Sequence, residues 1–242
     1  MKKIVALLLL ICTLGLISCG ESRYEEDQRK TNTLGVGHCV YTTERDTKTG
    51  KRNVGYVEMC IQNYGKVVFL LDATTAPKTV VNFIGLVKGG YYDTPTDAND
   101  TAYHGNTFHI VDSGRLLQGG CPNHDGTGTL ENKIFGEFPD NGWNNDISHK
   151  KGVISMVREN DPNTAACQFF ICMKDMPELD SQYAAFGYVI EGMSVLEEVM
   201  EAYAQYADAE NKGIIFEEEN QPVIKYIKWL PDKDGYWASR HS

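Results

Sequence analysis

Short apolar runs separated by turn residues hold most of the hydrophobic positions of this chain, and few of them repeat with helical spacing. Such runs predict strands at residues 36–43, 56–62, 66–72, 107–111, 115–118, 152–158, 168–173, 185–190 and 222–230. Lys48-Thr49-Gly50 and Asn63-Tyr64-Gly65 supply turns among the first of them. The period changes at Pro77, a residue suited to a first helical turn. Beyond it Val80, Phe83, Ile84 and Val87 fall at i, i+3, i+4 and i+7, one face of a helix that Gly89-Gly90 ends. Leu196, Val199, Met200 and Tyr203 mark a second amphipathic helix late in the chain. About eight strands with one early and one late helix predict a mainly β fold, a closed eight-stranded antiparallel barrel capped by two α-helices. Closure would also remove exposed sheet edges.

The N-terminus has a different texture. Lys2-Lys3 precede an apolar stretch from Ile4 to Ile17 that is short for a membrane span and has the anatomy of an export signal. It ends Ser18-Cys19-Gly20, which resembles a bacterial lipoprotein cleavage box. Residues 1–18 are then a signal peptide and Cys19 the lipidated first residue, anchored stably by several acyl chains. No aspartate follows Cys19, which by the resemblance to such lipoproteins implies the outer membrane, with the chain facing the periplasm or the cell surface. Residues 19–35 are polar and charged and form a tether, residues 36–231 form the domain with an N-terminal hairpin extension, and residues 232–242 form a tail.

Composition narrows the functions. The 242 residues are 42% hydrophobic and 23% charged, ordinary for one globular domain. A formal net charge of −10 with no long basic run argues against nucleic acid as a partner. Of seven cysteines, Cys60, Cys167 and Cys172 sit in strand-like runs as small core residues, and no C-x-x-C spacing occurs. His104, His109, His124 and His149 lack metal-ligand spacing, so neither a metal nor another cofactor is expected.

Two stretches carry the chemistry: Phe108-His-Ile-Val-Asp-Ser-Gly-Arg-Leu-Leu-Gln-Gly-Gly120, and Asn163-Thr-Ala-Ala-Cys-Gln-Phe-Phe-Ile-Cys172. Together they resemble the two facing walls of the cyclophilin active site, that of a family of peptidyl-prolyl cis–trans isomerases. Further matches follow in the family's order: Ala76-Pro77-Lys78-Thr79, Tyr92-Asp93, Gly126-Thr127-Gly128, Gly152-Val153-Ile154-Ser155-Met156, Leu179-Asp180 and Phe186-Gly187. The resemblance covers about residues 55 to 230. It implies rotation about Xaa–Pro amides of exported polypeptides, a monomeric enzyme, and proline-containing clients as partners. Carried over by position, Gln118 matches the family's backbone-fixing glutamine. Phe170 and Leu179 match walls of the proline pocket, Leu116 stands where methionine is usual, Val157 replaces a smaller pocket residue, and Tyr183 takes a histidine or tyrosine position.

One departure is central. The arginine that donates to the prolyl nitrogen in the family would follow His109, and here that residue is Ile110. Arg115 instead stands where the family has a pocket phenylalanine. Either Arg115 swings into the groove as a substitute donor, or it is a solvated surface residue and the site is weakened. The alternative to an isomerase is a non-catalytic proline-peptide-binding or chaperone module using the same groove.

Overall fold

The computed structural model of the chain describes residues 54–95 and 104–230. The export signal, Cys19, the tether, the expected strand at 36–43 and the tail at 232–242 lie outside the described residues.

Eight strands form one antiparallel sheet: β1 (Val54–Ile61), β2 (Gly65–Asp72), β3 (Phe108–Asp112), β4 (Leu116–Gly119), β5 (Val153–Met156), β6 (Phe169–Cys172), β7 (Ala185–Glu191) and β8 (Ile224–Leu230). Their order across the sheet is β3-β4-β6-β5-β7-β2-β1-β8. Two α-helices accompany them among the described residues, α1 (Pro77–Lys88) and α2 (Met193–Tyr203), both where the 3.6-residue periodicity predicts them.

The expected closed barrel is corrected here. The sheet is an open, curled half-barrel with β3 and β8 at its ends. Among the described residues those ends are joined only by an isolated bridge, Thr107 to Val223, flanked by Phe108 N–H to Pro222 O (3.0 Å) and Ile224 N–H to Asn106 O (2.7 Å). Further along, the free edge of β3 is occupied by loop instead of strand. Val111 N–H donates to Gly213 O at 2.8 Å and Ile215 N–H to His109 O at 2.9 Å. The edge is thus covered without a ladder, another way of satisfying the same backbone groups.

Alternation along the strands builds a core on each face. Phe69, Leu71, Phe108, Leu117, Ile154, Phe169, Ile171 and Phe186 point to one side, where they meet Val80, Phe83 and Ile84 of α1 and Leu196 and Val199 of α2. Phe83 sits 5.2 Å from Phe186 and 5.7 Å, edge-on, from Phe169, so α1 is keyed to the sheet by aromatic packing. The intervening residues Leu116, Val153, Phe170, Cys172 and Ala185 form a smaller cluster on the opposite side. A strand buried on both faces reads as a continuous apolar run, which is why Phe169-Phe170-Ile171-Cys172 shows no alternation in sequence.

The start of α1 is held from a distance. Its N-cap, Ala76, has no capping side chain. The fully buried carboxylate of Glu137 accepts from Lys78 N–H (3.0 Å), Thr79 N–H (2.9 Å) and the Thr79 hydroxyl (2.8 Å). These are orphan donors of the first turn, and a negative charge is favoured there by the helix dipole. Burial nevertheless raises the Glu137 pKa against those hydrogen bonds. The 134–138 segment is thereby pinned to α1 by a residue far away in sequence.

Candidate active site

The outer cluster is the candidate site. Leu116, Val157, Phe170, Leu179 and Tyr183, all carried over from the sequence, belong to one apolar group together with Ile147, Val153, Cys172, Met176, Ala185 and Tyr188. Phe170 is the floor, 3% exposed, with the Tyr183 ring edge-on at 5.7 Å. Leu116, Val157, Leu179 and Tyr183 are half-buried around it, as pocket walls open to a ligand would be.

A polar support lies beneath the floor. The His149 ring stacks on Phe170 at 5.9 Å and 15°. Its Nδ1 meets Asp180 Oδ1 at 2.9 Å and its Nε2 meets Ser155 Oγ at 3.0 Å. Asp180 Oδ1 also accepts the His149 backbone N–H at 2.7 Å. Burial lowers the His149 pKa in spite of the neighbouring carboxylate. Asp180 is also held low, its own partial burial being outweighed by the hydrogen bonds it accepts from His149. Both shifts describe one arrangement, a neutral imidazole donating from Nδ1 to an ionised carboxylate. Its role is to hold Phe170 and the Leu179 turn in place.

Beside the pocket a row of outward residues crosses the strands. Ile110 pairs with Gln118, Gln118 with Phe170, and Phe170 with Ser155. Ile110 therefore sits next to Gln118 where the family's guanidinium is expected, and its side chain carries no donor. Gln118 Nε2 lies 3.0 Å from Gln168 Oε1 and 3.2 Å from His109 Nε2. His109 is fully buried, and burial lowers its pKa to about 4, helped by His124 and opposed by Asp125.

Arg115 is not brought to Gln118. It precedes β4 out of phase with the outward residues Leu116 and Gln118, and its Nη1 binds Asp112 Oδ2 at 2.8 Å. Nη2 lies 3.6 Å from Glu178 Oε1, on the turn that carries Leu179. A different cation borders the pocket. Arg158 stacks its guanidinium 4.8 Å above the Tyr183 ring and 5.5 Å from Phe138, with Nε donating to Gln182 O at 3.1 Å. Arg158 also lines a cavity of about 130 Å³ shared with Val157, Gly126, Gly128 and Gln168. Sequence reasoning missed it; its one signal was a basic residue directly after a pocket residue at a strand end.

The cysteines are free thiols among the described residues, with Cys121, Cys167 and Cys172 buried and Cys60 half-buried. Burial raises Cys167 and takes Cys172 up to about 12, which fits packing and not nucleophilic chemistry.

The curled antiparallel sheet thus carries an apolar, aromatic-floored cluster beside a hydrogen-bonded glutamine. The family model for cyclophilin type peptidyl-prolyl cis-trans isomerases matches residues 56–217. A peptidyl-prolyl cis-trans isomerase of Helicobacter pylori is 36% identical over 139 residues, covering 57% of this chain and 76% of that protein. One from Schizosaccharomyces pombe is 38% identical over 132 residues, covering 54% and 76%. The crystal structure of a Cryptosporidium parvum cyclophilin type isomerase, determined in the presence of the dipeptide Ala-Pro, superposes with a TM-score of 0.58 at 26% identity. That superposition spans 74% of this chain and 99% of the other. The chain belongs to the cyclophilin-type peptidyl-prolyl cis–trans isomerases.

Proposed function

We propose that this chain is a slow prolyl isomerase for exported polypeptides, held at the outer membrane through lipid on Cys19 and acting as a monomer. The reaction breaks amide resonance, a barrier of ~18–20 kcal/mol, without any covalent intermediate. A site accelerates it by binding the twisted amide better than either planar form. The apolar pocket of Leu116, Phe170, Leu179 and Tyr183 takes the proline ring, and desolvation of the amide inside it favours the less polar twisted state.

The observation that carries the reduced rate is Ile110 standing beside Gln118. Among the described residues no guanidinium reaches that place, since Asp112 and Glu178 engage Arg115 and Arg158 stacks on Tyr183 and Phe138. Loss of one preorganised donor costs ~10²–10³ in rate in other enzymes, so activity is expected to be low but measurable. The export signal and Cys19 in the sequence support the location, and a Cys19→Ser chain that still fractionates with membranes would contradict it. The chemistry is tested by comparing catalysed cis–trans exchange of an Ala-Pro peptide in wild type, Ile110→Arg and Arg115→Ala. Loss of exchange in Arg115→Ala would mean that Arg115 is the donor after all.

A further inference from the structure

We propose that Gln118 offers the bound peptide a hydrogen-bond acceptor, and that Gln168 and the buried His109 are positioning residues that fix it in this orientation. The group it takes is a backbone N–H next to the client proline. This rests on the isomerase reading of the groove.

The orientation follows from counting donors. Gln168 Nε2 donates to Gly126 O at 3.0 Å and to Gly128 O at 2.7 Å, so both its hydrogens are committed to carbonyls that can only accept. Gln168 Oε1 is thereby identified and must accept what faces it, which is Gln118 Nε2 at 3.0 Å. The second Gln118 hydrogen is directed at His109 Nε2, 3.2 Å away. That ring nitrogen therefore carries the lone pair, and the proton of the neutral ring sits on Nδ1. His109 Nδ1 is buried without a hydrogen-bond partner among the described residues. Turning the Gln118 amide over would set its oxygen against Gln168 Oε1, which can only accept, so Gln168 rejects the flip and His109 takes the tautomer that matches. The backbone that anchors the relay is itself constrained. Gly126 has φ +84°, and a side-chain carbon there would lie 3.4 Å from His109 Cδ2.

With its amide nitrogen committed inward, Gln118 has only Oε1 left. Among the described residues no hydrogen bond to that atom is formed, and its ladder partner Ile110 has no side-chain donor to offer. Gln118 lies directly across from the pocket floor Phe170. Such pairs have Cβ atoms ~4.5–5.5 Å apart, close to the ~3.8 Å between successive Cα atoms of a bound peptide. Proline has no N–H, so the donor within that reach belongs to the residue before or after it.

The test has two parts, both on the full-length chain. Without ligand, nitrogen-15 long-range correlation spectra of the His109 ring are expected to show a neutral Nδ1–H tautomer near pH 7. An Nε2–H tautomer would overturn the relay whatever the activity. With ligand, three proline peptides are compared: the parent, one with an ester in place of the N–H after proline, and one with an ester in place of the N–H of the preceding residue. One ester is expected to lose roughly tenfold in kcat/KM on wild type, the size of a single lost hydrogen bond, and to lose nothing further on Gln118→Leu. Gln168→Leu, which frees the amide to rotate, is expected to shrink the penalty. Gln118→Met serves the same comparison if the leucine variant does not fold. Equal handling of all three peptides, or an unchanged ester penalty in Gln118→Leu, would overturn the proposal. A wild type that turns over no peptide would strike the isomerase reading instead. The proposal would then stand or fall on the tautomer and on the same ester penalty read as Kd.

Discussion

Lowering the pH should destabilise the fold through His109, and the size of the effect follows from its environment. The ring is fully buried, and its pKa is lowered from 6.5 to about 4. An unfolded chain binds the proton at the ordinary value, so between about pH 6.5 and 4 the unfolded state holds more protons and stability falls as pH falls. At about 1.4 kcal/mol per pH unit, that interval amounts to about 3 kcal/mol, a large share of a typical ~5–15 kcal/mol stability. Other groups titrate in the same window, Glu137 with the opposite sign, so the informative quantity is a difference. Urea unfolding of wild type and His109→Gln at several pH values should give curves that converge as the pH drops from 7 to 4. The variant can still accept from Gln118 but cannot titrate. A difference that stays constant across this range would refute the reasoning.

Three further outcomes are expected. Glu137→Ala leaves two backbone donors and the Thr79 hydroxyl unpaired at the buried start of α1, and should cost about 3 kcal/mol or more in urea unfolding. Phe170→Leu keeps an apolar floor but loses the ring contacts to His149 and Tyr183; peptide affinity should drop several-fold while unfolding shifts by about 1–2 kcal/mol. Arg115→Ala removes two partly exposed ion pairs, so exchange rates should stay within about twofold and stability within about 1 kcal/mol.

How far the sequence reached can be seen residue by residue. Both helices were legible because their apolar faces keep a 3.6-residue period over several turns. The apolar grouping of Leu116, Phe170, Leu179 and Tyr183 was legible because they lie in stretches that resemble the family. Closure was not legible, since it depends on whether two strand edges far apart in sequence meet, and among the described residues they do so through the single bridge of Thr107 and Val223 with its two flanking bonds. The expected strand over residues 152–158 is shorter, Val153–Met156, with Val157 keeping one last backbone bond to Gln168 O at 3.0 Å before the loop that carries Arg158. Neither the Glu137 cap nor the Gly126–Gln168–Gln118–His109 relay has a local signature. Each joins segments tens of residues apart, and hydrogen-bond direction appears only once distances fix which atom faces which. Arg115 shows the converse, a conspicuous charge in sequence that its neighbours Asp112 and Glu178 hold away from Gln118.

The most direct measurement is two-dimensional exchange NMR of an Ala-Pro peptide with substoichiometric full-length protein, wild type beside Ile110→Arg. The account predicts exchange above the uncatalysed rate in wild type and an increase of tenfold or more when the guanidinium is restored beside Gln118. Wild-type exchange that Ile110→Arg leaves unchanged would contradict it, because the missing donor would then not be what limits the site.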